Sequence, residues 1–262
     1  MEGYYRNPDG KECRLLSIAK DSETGEEVAV FKVLDHSDSI LVCPYDKFMA
    51  SYSAIKDVPL MCNPEDGYSS RVKAMVTLLT GNHIVPADFF DGLKNDDDIE
   101  EKALALIKAF KPGGDTERIF HLIQAWGGSS GRGIYLFGDH FCWNDIRPKY
   151  EALVGVCIKT TDIDDKSIDI LVQSVKDIEK DVKHFGVSFI TKHVRFWLYR
   201  TLGEKTLPIY DSVMAREVMH KSAPSSQHLG DYWRVMIAKA DRLGISLMAL
   251  ERQIFLHSLE AR

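Results

Sequence analysis

The stretch SIDILVQSVKDIEKDVKHFGVSFITKHVRFW, residues 167–197, decides the fold. Ile168, Leu171, Val172, Val175, Ile178, Val182 and Phe185 recur at helical spacing and form one apolar stripe, with Ser167 as the expected N-cap. Gly186 stops that helix, and a second carries Thr191 to about Arg200. The unit is therefore a helix, a glycine turn and a helix. The same period extends outward in both directions. Upstream, RVKAMVTLL begins at Arg71, and DIEEKALALIKAF, from Asp98, puts Ile99, Ala103, Leu106, Ile107 and Phe110 on one face before Pro112-Gly113-Gly114 ends it. Downstream, a helix starts near Asp211, and two more run from Asp231 to Leu243 and from Ser246 to the end of the chain. Residues 71–262 are thus expected to form an all-α domain.

The apolar period changes once, near the N-terminus. From Gly3 to about Tyr52 the text consists of short strands and turns: RLLSIAK, a turn at residues 21–25, the alternating EEVAVFKVL, and SILVCP. This predicts a small, strongly bent, β-barrel-like module over residues 1–52, followed by a connector over residues 53–70 that contains Pro59 and Pro64. The predicted class is α+β, a small β-rich module and then a helical domain. Gly3, Tyr5-Arg6, the turn from Ser22 to Glu27, the strand from Val28 to Phe31, and Cys43-Pro44 with Phe48 together resemble a compact bacterial domain of unknown function. That resemblance covers about fifty residues and carries no established chemistry.

Composition narrows the function classes. The 262 residues are 45% hydrophobic, enough for a sizeable core, and the formal charge is -6. A chain of that charge does not coat nucleic acid by electrostatics alone, so any DNA contact has to be local. The five cysteines, at 13, 43, 62, 142 and 157, contain no C-x-x-C pair, and the nine histidines show no H-x-x-x-H spacing. No metal and no cofactor is expected. Neither a signal-peptide core nor an apolar run of about eighteen residues occurs, which predicts a cytoplasmic protein with no membrane partner.

Chemistry enters at the glycine turn. A hairpin of this kind points backbone N–H groups at a phosphate, where the positive end of the following helix also points. From residue 176 to 205 there are seven Lys or Arg against four acids, a local basic excess inside an acidic chain. Gly186, Lys183, His193 and Arg195 are accordingly the expected DNA contacts. Lys192 is the candidate nucleophile. An exposed lysine is neutral in only about one molecule in 2,500 at pH 7, so a reactive one must be desolvated or set beside other cations. Phe189, Phe196 and Trp197 can supply apolar cover, and Arg195 and His193 lie close in sequence. Nineteen positions after Lys192 comes Asp211, in LPIYDSVMA. It is placed to cap the next helix, and its carboxylate can also stabilise positive character on a sugar or shuttle the amine proton.

Residues from about 115 to 262 resemble the 8-oxoguanine DNA glycosylase fold branch of the helix-hairpin-helix glycosylases, specifically its divergent bacterial members. Thr191-Lys192 and the segment from Pro208 to Asp211 carry the resemblance, the aspartate following the lysine at the family's interval. The chain departs from the pattern in having one hairpin glycine, Gly186, with several residues before Lys192, and one extra residue between Pro208 and Asp211. The resemblance implies DNA as partner and excision of a damaged or modified base through a Lys192 Schiff base, with strand cleavage by β-elimination. It also implies a pocket for the extruded base. The glycine-rich HLIQAWGGSSGRGIYLFGDHFCW, residues 121–143, is the expected lining, with Arg132 in the loop, Trp126 and Trp143 as stacking surfaces, and Phe196, Gln253 and Phe255 completing the wall. Because relatives of this branch occur in anti-phage systems, a phage-modified base is as much implied as 8-oxoguanine. The alternative is a non-catalytic DNA- or partner-binding module of such a system, docking through its N-terminal module.

Overall fold

The computed structural model describes residues 3–8, 12–22, 24–33, 40–54, 70–136 and 141–260. The chain divides into two compact units, Met1–Asn63 and Pro64–Arg262.

The first unit is an antiparallel sheet of β1 (Gly3–Arg6), β2 (Glu12–Lys20), β3 (Glu27–Val33), β4 (Ile40–Pro44) and β5 (Ser53–Ala54), in the order β4-β3-β2-β1-β5. Leu15 faces Phe31 and Cys13 faces Val33, and the register shifts between Leu15 and Ser17. At the β2–β3 turn Gly25 adopts a φ of 73° while its N–H bonds Asp21 O, a conformation that favours glycine. The helix α1 (Tyr45–Ser51) delivers Phe48, whose ring stacks on Tyr52 at 5.0 Å and meets Tyr5 and Phe31 at 4.9 Å. Two corrections follow. The described sheet ends at β4 and β5 and is open, not a closed barrel, and Ser53-Ala54, expected in the connector, pair with Arg6 and Tyr5. Residues 55–69 of that connector lie outside the described residues.

The second unit contains α2 (Ser70–Gly81), α3 (Asp96–Ala109), α4 (Glu117–Trp126), α5 (Gly133–Leu136), α6 (Trp143–Cys157), α7 (Asp165–Asp181), α8 (Val187–Leu202), α9 (Ser212–Met219), α10 (Leu229–Leu243) and α11 (Leu247–Glu260). α8 is its axle, packed on α3, α4, α6 and α7. That position demands burial on nearly all sides, which Val187, Ile190, Val194, Phe196, Trp197 and Leu198 satisfy. Each buried large apolar side chain is worth about 1.5–3 kcal/mol. Among the described residues no helix is long and apolar enough to cross a membrane.

Two details around the hairpin differ from expectation. α7 starts earlier than its apolar stripe suggested: Asp164 is the N-cap, accepting the Ser167 N–H at 2.7 Å, so Ser167 lies within the first turn. In the turn to α8 the left-handed residue is His184, with φ 60°, whereas Gly186 is the α8 N-cap at φ −75° and ψ 170°, which any residue can adopt.

Candidate active site

The segment between α8 and α9 is held by side-chain hydrogen bonds and carries Asp211 to the cleft that Lys192 lines. Thr206 donates its hydroxyl to Arg195 O (2.8 Å), Trp233 Nε1–H donates to Pro208 O (2.9 Å), and Tyr232 O–H donates to Ile209 O (2.7 Å). The Ile209 N–H donates to Glu251 Oε1 (2.6 Å), and the Tyr210 N–H donates to Thr191 Oγ1 (3.1 Å). Thr191, the neighbour of Lys192, thus holds the neighbour of Asp211. This closes the nineteen-residue interval. Asp211 is the N-cap of α9, its Oδ1 accepting the Val213 and Met214 N–H groups at 2.9 Å each.

Lys192 extends from α8 to the end of α4, where Nζ donates to Gly127 O at 3.2 Å and lies 4.2 Å from the Phe189 ring centroid. Burial above all, opposed by the Asp211 charge and reinforced by that of Arg71, lowers its pKa from the ordinary 10.5 to about 8. The second cation is therefore Arg71, not Arg195 or His193. The glycines explain how the amine fits: a Cβ on Gly127 would lie 2.9 Å from Phe189 Cε1 and 3.2 Å from Lys192 Nζ, and one on Gly131 would lie 2.5 Å from Phe189 Cε1. The glycine-rich loop is a seat for Phe189 and the lysine.

Lys192 and Asp211 line one cleft of about 810 Å³, a size typical of small-molecule sites. Trp126, Phe255 and Arg195 also line it. Arg195 is held by Glu251 (Nε to Oε2, 3.5 Å) and Glu100 (Nη2 to Oε1, 3.9 Å), and its guanidinium lies 5.3 Å from the Trp126 ring. It is a cleft residue rather than a backbone contact for DNA.

Several expected site residues lie elsewhere. His193 is fully buried, its Nδ1 2.8 Å from the Tyr150 hydroxyl, which also accepts the Trp197 indole N–H at 2.8 Å, so it has no surface to offer DNA. Phe196 is buried against Trp126 at 5.0 Å, outside the cleft lining. Trp143 packs on Phe120 and Tyr150 in the core, Arg132 and Gln253 are exposed, and none of the three lines the cleft. Gly186 and Lys183 are exposed in the hairpin turn. The basic excess of residues 176–205 is divided: Lys192 and Arg195 face the cleft with Glu204, and Arg200, exposed, donates to Phe110 O at 2.7 Å. Away from the cleft, Lys176, Lys180, Lys183, Arg200 and Lys205 are exposed or half-buried, beside Asp177, Glu179 and Asp181.

Two cleft residues, Arg71 and Glu251, were not singled out in the sequence. Arg71 opens α2 far from the hairpin in sequence, and Glu251 differs from Gln253 only by which side of α11 it occupies; the pattern LERQIF gives no signal that separates them. Carboxylates outnumber cations on the cleft walls. Among the described residues no group of three or more His, Cys, Asp or Glu is placed to hold a metal ion. Compared with known protein families, curated proteins and solved structures, the chain finds no match, so the geometry of this cleft carries the functional reading.

Proposed function

We propose that the helical unit is a DNA N-glycosylase with β-lyase activity, removing a damaged or modified base through a Schiff base on Lys192. The observation that carries this reading is the desolvated amine of Lys192 opening on the cleft that Asp211 also lines. The neutral amine attacks C1′ of an extruded nucleotide, the base leaves, and the imine that follows permits β-elimination of the 3′ phosphate. Asp211 stabilises the positive charge that builds on the sugar and receives the amine proton. Trp126 and Phe255 offer aromatic surface to the base. The backbone is met at the turn before α8, where Gly186 is exposed, and by Arg71 and Arg252 on the cleft wall.

Borohydride trapping on a duplex with an abasic site tests the reading. A covalent adduct that disappears in Lys192→Gln supports it, and no adduct with the wild-type chain removes it. A second reading, a non-catalytic module that binds a partner, is favoured by the acidic character of α7, where Asp165, Asp169, Asp177, Glu179 and Asp181 outnumber Lys166, Lys176 and Lys180. Stable association with a partner in the absence of any adduct would select it.

A further inference from the structure

We infer that Glu251 is the acid that protonates the departing base, an inference that rests on the glycosylase reading above. Glu251 projects from α11 into the wall of the Lys192 cleft, with a side chain 12% exposed. Its two oxygens are unequally engaged. Oε1 accepts the Ile209 N–H at 2.6 Å, whereas Oε2 faces Arg195 Nε at 3.5 Å, and that Nε has no hydrogen-bond partner. A buried Arg–Glu pair kept for structure would close to a charge-assisted hydrogen bond of about 2.7–2.9 Å. Here the pair stands apart, leaving Oε2 loosely held and available to a ligand.

The surrounding charges suit a proton donor. Burial weighs most and disfavours the carboxylate; Arg195 on α8 and the Ile209 N–H favour it, Asp211 at the head of α9 and Glu100 on α3 oppose it, and the Tyr232 hydroxyl on α10 lies near enough to feel its charge. The balance raises Glu251 to about 7. The proton has a destination. A nucleobase expelled from C1′ leaves with the electron pair of the glycosidic bond on its ring nitrogen and needs a proton there. In the proposed step the Lys192 Nζ–C1′ bond forms and the C1′–N bond breaks. Glu251 gives its proton to the base nitrogen and becomes a carboxylate, and the substituted ammonium passes its proton to Asp211. The released base, the lysine–sugar adduct and the two exchanged carboxyl protons balance. Asp211 cannot serve both ends, because its Oδ1 is committed to the two N–H groups that start α9.

The step separates two reactions that share Lys192. Base release needs both the amine and the acid; trapping on a preformed abasic site needs only the amine. The full chain is assayed for trapping on an abasic duplex and for release from duplexes carrying 8-oxoguanine, hypoxanthine, uracil or 7-methylguanine. Glu251→Gln is expected to trap within about twofold of wild type while its base release falls about a hundredfold. In the wild type, base release follows a bell-shaped pH profile whose alkaline limb is absent from trapping, and Glu251→Asp keeps that limb. Base release by Glu251→Gln at the wild-type rate overturns the inference, as does loss of trapping and release together. A wild type that traps the abasic duplex yet frees none of the four bases also overturns it. A wild type that does not trap at all fails the lysine reading itself. If Glu251→Gln does not fold, the alkaline limb decides: present in wild type and Glu251→Asp it supports the inference, absent from wild type it overturns it.

Discussion

Lys192 and His193 are consecutive on one helix, and both are polar groups whose charged forms are suppressed by burial. Lys192 opens on a cleft beside Arg71 and Asp211, whereas His193 is locked among Phe120, Tyr150, Phe185 and Trp197. Desolvation alone therefore does not distinguish a reactive group from a structural one; access does. The amine spends stability to remain in a place a ligand can reach, and the imidazole returns stability by filling a place nothing can reach.

The largest effects come from replacing each member of the pair. Lys192→Met abolishes borohydride trapping and, by removing an amine held partly neutral against its preference, stabilises the fold by about 1–3 kcal/mol in urea titration. His193→Ala does the reverse: it costs about 3–4 kcal/mol by leaving a cavity beside Phe120 and depriving the Tyr150 hydroxyl of one of its two partners, with trapping per folded molecule unchanged. Equal stability losses for the two variants would dissolve the contrast. Asp211 sharpens it at a smaller scale. Asp211→Ala removes the α9 cap and costs about 1 kcal/mol, while Asp211→Asn keeps an oxygen acceptor there, melts near wild type and still loses trapping rate.

The smallest effect is the pH dependence of stability. His121 is lowered to about 4 by burial, so its contribution is full above pH 6.5 and is lost as pH falls toward 4. Glu251 is raised to about 7, so its protonated form supports the fold at low pH, and that support is lost as pH rises from 4.5 through 7. The slopes oppose each other, but His193, held neutral by burial in the same sense as His121, tips the balance, and the wild-type chain is expected to gain stability with rising pH between 4.5 and 6.5. Glu251→Gln exposes the full histidine slope, with stability rising more steeply with pH in denaturant titrations across that range; a profile no steeper than that of the wild type would contradict the assignment.

How much of this could be read in advance differs by element. The stripes of α3 and α7 announced their helices because one face is buried and the other wet. α4 gave no such stripe, since every side chain from Ile119 to Ala125 is buried, and α6 carries Pro148 within the helix, which disguises it as a loop. The Lys192–Asp211 interval was visible because the residues that stitch it, Thr191 and Tyr210, are its immediate neighbours. Arg71 was not, because only tertiary packing brings α2 to the glycine loop. His193 was misplaced for a related reason: in an axial helix an adjacent residue points about 100° away, so proximity in sequence to the lysine carried no information about shared surface.

The segment from Thr206 to Tyr210 is pinned at every residue but Leu207 by a hydrogen bond to or from a side chain. Its consequence is electrostatic. A carboxylate carried on so constrained a stretch has little freedom to swing, and under the proposed function it stays fixed as charge grows on the sugar. The work of orienting dipoles is then done once, when the chain folds, rather than at each turnover.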